Sequence, residues 1–149
     1  LIIDGKKSKI GIESTVIDLT NKPKILRPGI IDQKKLEKIL GFKINKNTNK
    51  KIRSPGMMEK HYSPGIPVVL DQKKHDGTSA FIYLGQKYKN KKSFFSLSKN
   101  FNLAEAASNL YKVFRIIKKK NFKKIQIVKI PNLGSGIAIN DRIKKASKY

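Results

Sequence analysis

The chain has no cysteine and no tryptophan, and its only histidines are His61 and His75. The lack of cysteine excludes disulfides and thiolate metal sites, and two histidines are too few for a multi-histidine zinc centre. Acidic side chains are scarce too: 10 Asp and Glu stand against 34 Lys and Arg, a net charge of +24. No apolar run approaches the roughly 20 residues that a membrane-spanning helix needs, so no membrane partner is expected. The opening LIIDGKK has neither a leading Met nor a basic segment followed by an apolar one, and so lacks the pattern of a secretory signal. It reads as a buried strand, Leu1 to Asp4, entered midway, and the chain is expected to begin inside a larger protein.

The basic excess has two readings. Basic surfaces concentrate polyanions such as RNA, yet Lys scattered over solvated faces also follows from a biased composition. Residues 1–65 carry 15 basic and 6 acidic side chains, and residues 66–149 carry 19 and 4. The second part is therefore the better candidate for an RNA contact. Hydrophobic residues, 38% of 149, suffice for one ordinary domain or two small ones.

Ile10 to Leu19 (IGIESTVIDL) is rich in β-branched residues and reads as a strand. The turn Asn21-Lys22-Pro23 leads into a second strand, Lys24 to Arg27, which Pro28-Gly29 stops, so a hairpin is predicted. Asp32 is placed to cap a short helix with Leu36, Ile39 and Leu40 as its apolar stripe, and Gly41 to close it. Residues 43–52 read as a basic loop. Two features stand out. Glu13-Ser14-Thr15 interrupts an apolar strand, either as tolerated strand positions with Glu13 facing water or as a ligand-facing row of polar groups. Arg27 is either a solvated charge or, beside a rigid turn, a planar fork suited to phosphate or carboxylate.

Arg53 to Pro67, RSPGMMEKHYSPGIP, is too rich in Pro and Gly for a helix or a central strand. It nevertheless carries Met57, Met58, His61 and Tyr62, which an inert tether does not need, and it reads as a semi-rigid connector that lies on something. Beyond it, Val68–Leu70, Ala80–Leu84, Ser93–Leu97 and Ile125–Ile130 read as strands. Asn102 with Glu105 resembles a capping box for a helix whose apolar positions are Leu103, Ala106, Ala107, Leu110, Val113, Phe114 and Ile117. Lys118 to Lys120 fall in its last turn, opposing the negative end of the dipole, and Ile137–Ser147 reads as a final helix. Strands alternating with helices predict a small Rossmann-like α/β domain with a partly parallel sheet. Gly134-Ser135-Gly136 lacks the full G-x-G-x-x-G pattern and reads as a tight strand-to-helix turn.

Taken in order, GIESTVIDLT, PKILRPG, RSPGMMEKHYSP and IPNLGSGIAINDRIKKAS resemble the threonylcarbamoyl-AMP synthase family in its long form. The fold class that the resemblance implies is α/β: residues 1–44 as the C-terminal portion of a YrdC-like catalytic domain, residues 45–66 as a linker or lid, and residues 67–149 as a small Rossmann-like C-terminal domain. The implied reaction makes threonylcarbamoyl-AMP and pyrophosphate from L-threonine, bicarbonate and ATP, for tRNA modification. Ser14 would sit at the threonine end of the pocket and Arg27 would contact the ATP phosphates. Tyr62, with His61, would bring the linker onto the nucleotide. Such chemistry rests on positioning and charge neutralisation, with ATP as substrate and Mg²⁺ assisting, and no side chain here is assigned as a catalytic acid or base. The partners implied are tRNA or other RNA and the tRNA threonylcarbamoyl-transfer complex, in the cytoplasm.

Two departures from the family pattern stand beside this. The Lys-x-Arg motif and Ser-rich loop of the family's N-terminal half have no counterpart and are expected to precede Leu1, so the chain alone is not expected to catalyse. Ser135 stands where the family often has Leu. The alternative function, from a different class, is a basic RNA-binding α/β module without catalysis.

Overall fold

A computed structural model describes residues 1–3, 10–45, 58, 62–88 and 91–148. The predicted hairpin is present: β1 (Val16–Asp18) pairs antiparallel with β2 (Lys24–Arg27), with an irregularity in register between Val16 and Ile17. The Asp18 carboxylate accepts from the Thr20 backbone N–H at 2.9 Å and from its hydroxyl at 2.7 Å, a local bond that turns the chain. The strand is shorter than Ile10–Leu19, because residues 10–15 leave the ladder to dock elsewhere. Leu1–Ile3, expected as a buried strand, are exposed and lie outside any strand.

Helix α1 (Gln33–Leu40) is capped as its sequence predicts. Asp32 accepts from the Lys35 N–H at 2.9 Å, and Gly41, at φ 75°, closes the helix by donating to the Glu37 carbonyl. Its apolar stripe does not become core: no residue of α1 is buried and Ile39 is 71% exposed. The helix is latched by polar groups, since the Glu37 carboxylate accepts from the Gln33 side chain and from the Ile44 N–H, both at 2.8 Å.

Four further strands form one sheet in the order β3 (Val68–Val69), β6 (Ile125–Ile127), β4 (Ala80–Tyr83), β5 (Phe94–Ser96). Every pairing in it is parallel, where the sequence predicts a partly parallel sheet. Helix α2 (Leu103–Lys119) connects β5 to β6, and α3 (Ser135–Ala146) follows β6. The strands' period of two divides their side chains between faces. Ala80, Ile82, Ile125 and Ile127 meet Leu110 and Ile117 of α2 and Ile139 of α3 in one core. Burying each of these Ile and Leu side chains contributes about 1.5–3 kcal/mol. On the other face Phe81, Tyr83 and Phe94 gather with His75 and Tyr88 in an aromatic layer, with ring centroids as close as 4.4 Å for Tyr88 and Phe94.

The capping box of α2 is relayed. Asn102 accepts from the Glu105 N–H at 3.0 Å, while Glu105 accepts from the Ser98 hydroxyl, whose oxygen in turn accepts from the Asn102 N–H. At the start of α3, a Cβ on Gly136 would lie 2.0 Å from the Pro131 carbonyl oxygen. That glycine therefore permits a close backbone crossing at the turn, and Ser135 is accommodated as the first residue of the helix. No helix among the described residues is long and apolar enough to cross a membrane.

Candidate functional site

The segment 10–15 runs between the hairpin and the parallel-sheet unit, and its side chains diverge. Ile12 enters the same core as α2 and the sheet. Gly11, at φ 69°, lies so close to α2 that an added Cβ would be 2.6 Å from the Ser108 Cα. Glu13, Ser14 and Thr15 do not form one row. The Thr15 hydroxyl donates to the Ile31 carbonyl at 2.6 Å, which ties the strand to the loop before α1. Ser14 is engaged by Arg27, whose Nε donates to the Ser14 carbonyl at 3.1 Å and whose Nη2 donates to its hydroxyl at 3.3 Å. The Arg27 fork is thus held against the strand, at the end of β2 and just before Pro28-Gly29.

Glu13 turns toward the opposite partner. Its carboxylate accepts from Arg142 Nε at 3.0 Å. Arg142, on α3, is fully buried, and its Nη1 donates to Asp141 at 2.6 Å. Asp141 also accepts from Lys145 one turn on. The guanidinium lies 5.0 Å from the centroid of the Tyr62 ring, a cation–π distance, and Tyr62 stacks on Tyr111 of α2 at 5.9 Å. Among the described residues, Arg142 Nη2 and the Tyr111 hydroxyl are both shielded from solvent.

Tyr62, Glu13 and Tyr111 line a cavity of about 500 Å³ that Arg115 and Lys118 border with positive charge. Ser14 and Arg27 do not line it. His61 lies outside the described residues, as does most of Arg53–Pro67. Thus two of the sequence-predicted residues, Ser14 and Arg27, touch. Tyr62 adjoins them through Glu13, and the Arg27 charge is felt at its hydroxyl. Tyr111 is absent from the sequence reading, and Arg142 stands in it only as part of the closing motif IPNLGSGIAINDRIKKAS, with no role assigned. The signal for Arg142 was present: a charge at helical spacing from Ala138, Ile139 and Ala146 sits in an apolar stripe, where it needs a partner.

The electrostatics follow from this geometry. Burial alone would raise the Glu13 pKa, but its own backbone hydrogen bond and the hydrogen bond and charge of Arg142 outweigh burial and hold it below the ordinary value. Burial pushes the hydroxyls of Tyr62 and Tyr111 up, so both remain neutral at physiological pH. A carboxylate with a lowered folded-state pKa contributes stability above its unfolded value, and that contribution is lost as pH falls through the folded value. Part of the protein's acid sensitivity, below the ordinary Glu value of about 4.3, is therefore expected to belong to Glu13. In thermal melts recorded from pH 7 to pH 3, Glu13→Gln should flatten the acid limb. A limb as steep as the unsubstituted protein's would show that the pair with Arg142 contributes nothing.

Among the described residues no group of three or more His, Asp or Glu side chains gathers as a metal site, and the carboxylates of Glu13 and Asp141 are engaged by Arg142. These residues do not offer Mg²⁺ a protein-built site.

Comparison with known proteins bears on the same residues. The family model for the threonylcarbamoyl-AMP synthase C-terminal domain matches residues 31–148. Threonylcarbamoyl-AMP synthase of Pyrococcus abyssi is 32% identical over 167 residues, covering 99% of this chain and 49% of the relative. The Bacillus subtilis enzyme of that name is 28% identical, covering 98% and 48%. The crystal structure of P. abyssi Sua5 complexed with L-threonine superposes with a TM-score of 0.81 at 28% identity, over 98% of this chain and 48% of that one. A second structure of the P. abyssi protein, in which a His-Tyr pair is replaced by alanine, gives a TM-score of 0.71 at 25% identity. The chain spans about half the length of these relatives. With the family model matching through the sheet, both its helices and α1, this chain belongs to the threonylcarbamoyl-AMP synthase family.

Proposed function

We propose that the chain supplies the C-terminal half of an L-threonylcarbamoyladenylate synthase, with residues 1–44 completing a YrdC-like catalytic domain, 45–66 serving as linker and 67–149 as the C-terminal domain. In this reaction the threonine amine and bicarbonate give a carbamate and water. A carbamate oxygen then bonds to the α-phosphorus of ATP as the bond to pyrophosphate breaks. Threonine and the phosphates must therefore lie side by side. The observation that carries the reading is the contact of Arg27 with Ser14, which makes neighbours of a group suited to phosphate and a group suited to threonine.

In the proposed roles Ser14 orients threonine and the Arg27 guanidinium neutralises charge that develops on the phosphates. Tyr62, with His61, lays the linker on the nucleotide and excludes water. No step is routed through Mg²⁺, for which these residues hold no site of their own. The product would serve tRNA threonylcarbamoyladenosine modification in the cytoplasm, handed on through the transfer complex. The RNA-binding module is the weaker reading, because it leaves the Ser14–Arg27 contact without a task.

The test is pyrophosphate release by the full-length protein, measured with and without L-threonine and bicarbonate. Arg27→Ala is expected to lower kcat/KM for ATP by about 10–100-fold, the size of one or two charge-assisted hydrogen bonds, and Ser14→Ala to raise the KM for threonine. Release that does not depend on threonine would overturn the function. Dependence on threonine with an unaltered Arg27→Ala variant would overturn only the assignment of that residue.

A further inference from the structure

We propose that Arg142 is a positioning residue, a clasp on the C-terminal α/β unit that holds the linker's Tyr62 and the Glu13 segment in one geometry. This rests on the synthase reading above and adds to it a task for the second unit: setting how the linker lies at the site.

Arg142 occupies an apolar stripe on α3 and is fully buried, as are Ala138, Ile139 and Ala146 around it. Taking a charge out of water there costs several kcal/mol, and an aliphatic side chain would fill the same space at less cost to the fold. The guanidinium instead engages three partners. Its Nε edge meets Glu13, which lies 129 positions away in the chain, and its Nη1 meets Asp141. Its Cζ lies 5.0 Å from the centroid of the Tyr62 ring. An ammonium cannot reproduce this, since it is a compact point charge without a fork or a plane. Asp141 is fixed from its far side by Lys145, and Tyr62 is backed by Tyr111. The three bodies that meet at Arg142 are those whose relative placement a lid requires: α3 of the sheet unit, the strand segment beside Ser14, and the end of the linker. Arg142 acts through Glu13 and Tyr62.

The experiment compares Arg142→Lys with the unsubstituted full-length protein by two readouts. Amide hydrogen exchange is expected to quicken in peptides covering residues 62–70 and 10–18 while β4 and β6 keep their protection. In steady-state pyrophosphate release, KM for ATP and for L-threonine is expected to rise about tenfold, the size of a lost charge-assisted hydrogen bond, with kcat changed less than KM. The double variant Arg142→Lys with Tyr62→Ala should lose less than the product of the two single effects, because the two variants share the Arg142–Tyr62 contact. Unchanged exchange in 62–70 overturns the clasp. Quickened exchange with unchanged KM overturns its positioning role, as do multiplicative effects in the double variant. If the unsubstituted protein shows no threonine-dependent release, the synthase reading fails, and the exchange readout alone decides the clasp. Should Arg142→Lys not fold, Glu13→Gln removes the same ion pair from the other side and is read identically.

Discussion

Gly29→Ala is expected to abolish most threonine-dependent pyrophosphate release while leaving the parallel sheet folded. Gly29 is buried in the turn after β2, and a Cβ there would stand 2.2 Å from the Thr15 backbone N, 2.5 Å from the Ser14 carbonyl carbon and 2.7 Å from the Glu13 carbonyl oxygen. All three are main-chain atoms, so no side-chain rotation relieves the clash. Overpacking of this kind costs about 1–3 kcal/mol and can exceed that. The turn and the 13–15 segment must then separate, and the Arg27 donors leave Ser14. A fall of at least tenfold in kcat/KM for ATP is the expected result, with a Tm lower by several degrees at about 2–4 °C per kcal/mol. A variant with unchanged kinetics would show that the Arg27–Ser14 contact is not needed in the geometry seen here.

The second large effect is expected at Gly11. Its φ of 69° is in the left-handed region, and its added Cβ would meet the Ser108 Cα and carbonyl oxygen, both at 2.6 Å. Alanine there costs about 1–2 kcal/mol for the backbone conformation and about 1–3 kcal/mol for the clash. Helix α2 is buried along a continuous face and cannot yield, so the 10–13 segment should lift from it, carrying Ile12 out of the core and Glu13 away from Arg142. Hydrogen exchange should quicken across residues 10–18, with β4 and β6 protected as before. Protection retained at 10–18 would mean that the segment is held by contacts other than this approach to α2.

How much of this was legible in the chain depended on the reach of each interaction. Asp32 and Asn102 were readable as caps because each bonds to an N–H three residues on. The α2 stripe was readable because helical spacing alone brings Ala106, Ala107, Leu110, Val113, Phe114 and Ile117 onto one face, and all six are buried. The stripe on α1 obeyed the same periodicity and misled, because amphipathic spacing says which residues share a face but not whether anything covers it. The extent of the first strand failed for a related reason: β-branched residues favour extended backbone, but pairing needs a partner, and Gly11, Ile12 and Glu13 turn to α2 and α3 while Thr15 bonds to the loop before α1. At the site, Ser14 and Arg27 were nominated by motif and residue type, whereas the partner of Glu13 could not have been, since no local rule relates positions 129 apart.

By itself the sequence determined what short-range chemistry determines: the absence of thiol chemistry, the turns, the caps, the α/β alternation, and a set of motifs in family order. Tertiary structure alone decided that Glu13, Ser14 and Thr15 face three different partners. It also decided that a buried Arg142 joins the strand segment, the end of the linker and the last helix. The physical reason is that a buried charge is tolerable only where its opposite charge is delivered, and here that delivery is made by the fold.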